Sequence, residues 1–196
     1  MKKILGILMG VVMFAGIANA QEVTVLPKPK INGGMDVMKA IEVRKTERDF
    51  NKDKKLSTET ISEILWVAYG KNSRGTRTIP TARNQLDMNV YVLMGSGTYF
   101  YDGDKHALVQ INDKDLRPIM AKQDFVKDAA MTIVYTGKDP HYAALHAGSS
   151  YQNVGLYCAA KGIKAVVRGL FDKDDATKAL GLKGDEKAVT SITLGY

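Results

Sequence analysis

The sequence predicts an α+β fold in which a central, mostly antiparallel β-sheet is flanked by helices. Three observations carry this. Several short runs alternate or are wholly aliphatic, as strands do. Two amphipathic runs end at glycines, Gly70 and Gly162, as helices do. Strands and helices do not alternate strictly, which excludes an all-parallel βαβ architecture.

The elements follow in order. Residues 21–35 are polar and punctuated by Pro27, Pro29 and Gly33-Gly34, so they read as an arm or linker ahead of a domain spanning 36–196. Asp36 caps a helix whose apolar positions are Val37, Met38 and Ile41, with Lys45 near the same face. Ser57 caps a second helix with Ile61, Ile64, Leu65 and Ala68 as its stripe. A long cation-bearing loop runs from Gly70 to Arg83. Residues 87–94 form a buried strand, and residues 99–101 and 107–109 a hairpin around Asp102-Gly103. Residues 129–136 are another buried strand. A long helix is expected over 148–161, capped by Ser149-Ser150, followed by a strand at 164–167, a helix at 172–180 and a final strand at 188–194.

The first 20 residues set the compartment. Lys2 and Lys3 precede an apolar run over 4–18 that is too short to span a bilayer, and Ala18-Asn19-Ala20 offers a small-x-small cleavage site. This is the pattern of a cleaved signal peptide, so the product is expected in the periplasm or secreted, touching a membrane only through an uncleaved segment. The formal charge of +7 is spread among acids, as in Asn51-Lys52-Asp53-Lys54-Lys55, and reads as a solvated surface rather than a nucleic-acid face. The single cysteine, Cys158, excludes an intrachain disulfide and fits buried packing.

Several chemistries fall away. Gly95-Ser96-Gly97 follows a strand, but Phe100 stands at the third glycine position and no helix follows, so a dinucleotide fingerprint is excluded. Gly70-Lys71-Asn72 lacks P-loop spacing. His106, His141 and His146 offer no i, i+4 metal pair. Ser149-Ser150 near His146 lacks a nucleophile elbow.

Three patches remain. Arg44-Lys45-Thr46-Glu47-Arg48 gathers two guanidiniums, an ammonium and a hydroxyl, groups that suit a phosphate dianion, and a helix continued through them would bring Arg44 and Arg48 to one side. The alternative is a helix C-terminus that simply favours cations. The second patch is Arg77-Thr78-Ile79-Pro80-Thr81-Ala82-Arg83-Asn84, preceded by Leu65-Trp66-Val67-Ala68-Tyr69-Gly70-Lys71-Asn72. The third is Ser150-Tyr151-Gln152-Asn153-Val154-Gly155-Leu156-Tyr157-Cys158-Ala159, followed by Val166-Val167-Arg168-Gly169.

In this order the three patches resemble the FMN-dependent nitroreductase family, in the branch related to azoline-forming dehydrogenases. The second patch looks like that family's Pro-Ser-(Ser/Ala)-x-Asn loop, and the third like its Gln-Asn helix and following strand. The resemblance runs from about Asp36 to the end of the chain. It implies an FMN site with Arg44, Lys45, Thr46 and Arg48 at the phosphate and Arg168 as a further candidate there. It also implies Pro80, Thr81 and Asn84 in the motif loop, Asn84 at the pyrimidine edge, and the backbone of Gly169 at the flavin N5. It implies two-electron transfer to a nitroaromatic, quinone or related acceptor from a small-molecule donor, with flavin-borne chemistry, no protein acid or base, no metal, and a homodimer with the site at the subunit interface. Two departures stand out: Leu86 occupies a usual Gln position, and a basic C-terminal tail present in many relatives is missing after Tyr196. Export also conflicts with NAD(P)H as donor, so either the electron donor differs or the segment before Gln21 is not removed. Two rival readings stand beside the oxidoreductase: a flavin-binding module without turnover, and a flavin oxidase of a peptide-derived substrate.

Overall fold

The computed structural model describes residues 21–196, so the expected signal peptide lies outside the described residues, as does the side chain of Asn84. Seven strands form one sheet in the order β1-β4-β3-β2-β5-β7-β6, and every neighbouring pair is antiparallel. The strands are β1 (Val23–Val25), β2 (Met88–Met94), β3 (Gly97–Asp102), β4 (Ala107–Asn112), β5 (Met131–Gly137), β6 (Lys164–Arg168) and β7 (Lys187–Gly195). The helices are α1 (Val37–Val43), α2 (Thr58–Tyr69), α3 (Pro140–Lys161) and α4 (Lys173–Ala179). This is the expected α+β class.

Strand periodicity assigns the two faces. In β5, Ile133 and Tyr135 turn to one face and Val134 to the other, and all seven residues are buried because both faces are covered. On the first face, α2 and α3 bury Ile64, Leu65, Ala68, Ala147, Val154 and Cys158 against Val90, Val92, Ile133 and Ile192. On the second, Leu93 and Val134 meet Met120, Val126, Phe171, Ala176 of α4 and Leu180 just beyond it. Cys158 is buried, and burial pushes its thiol pKa up, which keeps it protonated and inert.

Local chemistry explains the helix ends. The Asp36 carboxylate accepts from the Met38 and Lys39 N–H groups, Ser57 Oγ accepts from Thr60 N–H, and Asp172 accepts from Asp175 N–H. Gly162 ends α3 at φ 66°, a left-handed conformation that costs glycine little.

Four features depart from sequence expectation. First, α1 stops at Val43; Arg44 is extended at φ −61°, ψ 123°, and residues 44–48 are not helical. The segment leaves the helix to meet the sheet edge, where Glu47 N–H donates to Ala165 C=O. Second, the apolar stripe of α1 faces outward: only Ala40 is buried, while Val37, Met38 and Ile41 are exposed. Third, α3 begins at Pro140, eight residues early, because the Asp139 carboxylate accepts from His141 and Tyr142 N–H and proline suits the first helical position. Ser149 and Ser150 are therefore interior, not caps. Ser150 is fully buried and donates to the Tyr135 hydroxyl, and Ser149 donates back to Leu145 C=O. Fourth, the arm holds β1, which pairs with β4. It is clasped where Ser62 Oγ–H donates to Pro27 C=O while Ser62 also meets His106 Nε2 at 2.8 Å.

Candidate functional site

Helix α3 is the spine of the site, and its two flanks hold different patches. Its inward stripe is Ala143, His146, Ala147, Ser150, Val154 and Cys158. His146 and Asn153, seven residues and two turns apart, share one flank. Gly155 lies about 200° round from Asn153, on the other.

The Gly155 flank meets the first patch. The stem of Arg44 crosses Gly155, where an added Cβ would touch Arg44 Cδ at 3.6 Å. Arg44, Lys45 and Thr46 line a cavity of about 150 Å3 together with Tyr151, Gln152, Ala165 and Val167. Ala165 and Val167 reach it because β6 alternates, and they pair across from Leu194 and Ile192 on the α3 face of the sheet. Among the described residues no carboxylate lies within 4 Å of the Arg44 guanidinium, whereas Lys45 Nζ pairs with Glu47 at 3.2 Å. Thr46 is exposed.

The same alternation sends Arg168 to the opposite face. It pairs with Ser191, whose neighbour across β5 is Val134. Its side chain is buried: Nε donates to Gln123 Oε1 at 3.3 Å, Nη2 donates to Leu170 C=O at 2.9 Å, and Nη1 has no partner. Burial holds its pKa below the usual guanidinium value. The guanidinium lies 5.7 Å from the centre of the Phe125 ring, and Arg48 lies 5.9 Å from the same ring. So the five-residue patch is divided at the sheet edge: Arg44, Lys45 and Thr46 gather on the α3 face, while Arg48 joins Arg168 around Phe125. Gly169 follows at the end of β6, and a Cβ there would meet nothing within 4 Å.

The other flank of α3 meets the second patch. Asn153 Nδ2 donates to Val67 C=O and Thr78 C=O, each at 3.2 Å, and Thr78 Oγ–H donates to Trp66 C=O at 2.9 Å. Ala82 N–H donates to His146 Nε2 at 2.8 Å. Arg77 lies over the Tyr69 ring at 4.6 Å and pairs with Asp104 at 3.1 Å; the Lys71 ammonium and then Arg77 hold the Asp104 carboxyl below the usual range. Pro80 is exposed and Thr81 half-buried and extended. Gly70 is fixed by packing, since a Cβ there would sit 2.5 Å from Trp66 Cδ1 and 2.8 Å from its carbonyl oxygen. The Trp66 indole N–H donates to Lys71 C=O. The Trp-to-Asn stretch is thus one self-bonded corner.

Sequence reasoning missed Gln123 and Phe125, which lie in a 3-10 turn (Asp124–Asp128) or beside it with no periodic signal, and the anchoring role of His146. The seven-residue spacing of His146 and Asn153 on one helix was the available signal.

A donor set this size can be tested against a flavin. Four buried side-chain atoms among the described residues lack partners: Tyr69 Oη, Arg77 Nε, His146 Nδ1 and Arg168 Nη1. Three border the 77–82 loop and the fourth precedes Gly169. None of the four lines the cavity of Arg44, Lys45 and Thr46, where the guanidinium, the ammonium and the hydroxyl are the donors that fit an anion.

The family model of the nitroreductase family matches residues 41–196. The fold is similar to a structure named for that family from Ralstonia eutropha JMP134, 31% identical, covering 95% of each chain with a TM-score of 0.83. A second so-named structure, from Anabaena variabilis ATCC 29413, is 20% identical with a TM-score of 0.76, covering 89% of this chain and 41% of that one. The E. coli microcin synthetase McbBCD complex shares the fold at 18% identity, covering 97% of this chain and 84% of that one with a TM-score of 0.68. None of the curated proteins matches. Motifs, sheet and family model agree, and the chain belongs to the nitroreductase family, whose members generally bind flavin and carry out oxidoreduction.

Proposed function

We propose that this chain is an exported FMN-dependent oxidoreductase that acts on small molecules as a homodimer. The observation that supports it most is the cradle on the α3 face: an Arg44 guanidinium with no carboxylate partner among the described residues, the Lys45 ammonium and the Thr46 hydroxyl around one cavity, with the Arg44 stem lying against Gly155. Fork-like guanidinium donors and a neighbouring hydroxyl suit a phosphate dianion. Arg48 and Arg168 add positive potential beyond the sheet edge, and Gly169 leaves room for close approach of its backbone to a ring. Bound there, FMN supplies two-electron transfer, by hydride at N5, to a nitroaromatic, quinone or related acceptor. The chain's part is to bind, orient and polarise, and no side chain is assigned as acid or base.

The dimer is supported by the outward stripe of α1, a helix packed on α3, whose Val37, Met38 and Ile41 are 61%, 69% and 50% exposed. Export rests on the leader alone. It removes the protein from cytoplasmic NAD(P)H, so the physiological donor is a different small reductant.

The test is anaerobic. Dialysed mature protein is loaded with FMN, freed of excess, and reduced with NADH, NADPH or a chemically reduced viologen, after which a quinone is added. Uptake of FMN, bleaching of the flavin band and its return with quinone are expected. Protein that takes up no FMN contradicts the proposal.

A further inference from the structure

We propose that His146 is a positioning residue, the acceptor that fixes the motif loop over 80–86 in its ligand-receiving shape; this rests on the flavin reading above. The geometry selects one tautomer. A backbone N–H can only donate, so the 2.8 Å contact from Ala82 requires an unprotonated Nε2 and places the ring proton on Nδ1. His146 is 3% exposed, so the contact is shielded from solvent and its loss leaves a buried polar group without its partner.

The loop has little else to hold it. Pro80 has no N–H, the Gln85 N–H bond to Ala82 C=O is local, and among the described residues the Ala82–His146 bond is the one that joins 80–86 to another element. The neighbouring residue Arg83 sits at φ 52°, a left-handed conformation that a non-glycine residue keeps only where its surroundings impose it. Asn153, on the same flank of α3, ties the loop's start through Thr78 C=O. The helix thus sets both ends of the motif: Asn153 the entry and His146 the turn itself.

The test compares three variants of the mature protein. His146→Leu keeps bulk and removes the acceptor, and His146→Gln keeps an acceptor oxygen. Ala82→Pro removes the donor and leaves His146 intact; it is compatible with the extended Thr81 at φ −125°, ψ 133°, the conformation favoured before proline. Amide hydrogen exchange over residues 79–86 is read by mass spectrometry without flavin, and FMN affinity by calorimetry. His146→Leu and Ala82→Pro should each speed exchange in this segment and weaken FMN about 10-fold, on the scale of one lost hydrogen bond, while His146→Gln stays within about threefold of wild type. If His146→Leu does not fold, Ala82→Pro decides alone. Wild-type FMN affinity in either disrupting variant overturns the proposal, whatever the exchange shows, and so does a His146→Gln variant as weak as His146→Leu. A wild-type protein that binds no FMN is seen before any variant and removes the flavin reading together with this role.

Discussion

On one flank of α3, Arg77 is half-buried, lies over the Tyr69 ring and pairs with Asp104; on the other, Arg44 runs its stem across Gly155 and meets no carboxylate among the described residues. Both are arginines in sequence patches rich in cations and small residues, and the sequence alone treats them alike. The difference lies in what the fold has already spent their donors on. A guanidinium that is stacked and paired contributes to stability, and one that is positioned but unpaired is available to a ligand. The closed flank therefore shapes a loop, and the open flank makes the cradle.

Substitutions on the two flanks should separate these roles. The largest effect is expected at the closed flank in Gly70→Ala, where the new methyl meets the Trp66 backbone as well as its ring; overpacking against backbone should cost about 3 kcal/mol in denaturant unfolding. A cost below about 0.5 kcal/mol would show that the corner is plastic, and the contrast between the flanks would fail. Arg77→Leu comes next. It removes the stack on Tyr69 and one of two cations on Asp104, leaving Lys71, and should cost about 1 to 2 kcal/mol by the same measurement. No loss of stability there would mean that Arg77 is as available as Arg44.

Much of this was legible in the sequence, and the boundary is physical. Features set by local chemistry were readable: the caps Asp36 and Ser57, the helix-ending Gly162, and the aliphatic runs of β2, β5 and β7. Features set by what packs alongside were not. Nothing local stops a helix at Val43; the sheet edge does, through Glu47 and Ala165. Nothing local says that Val37, Met38 and Ile41 face outward, because their spacing fits a core stripe equally well. The placement of Arg168 required knowing that β6 is an edge strand and which face its odd and even residues take. The order of the three patches was enough to find the family. It was not enough to show that they divide between the two flanks of one helix and the two faces of one sheet.

The central claim is that the open flank holds the phosphate. It is tested most directly by calorimetric affinities of FMN and of riboflavin, which lacks the phosphate, for wild type and Arg44→Ala. Loss of charge-assisted hydrogen bonds worth about 1.5 to 3 kcal/mol should weaken FMN by roughly 10- to 100-fold. Riboflavin should bind both proteins within about threefold, because the exposed side chain carries little of the fold. Equal weakening of both ligands, or unchanged FMN affinity, would contradict the account.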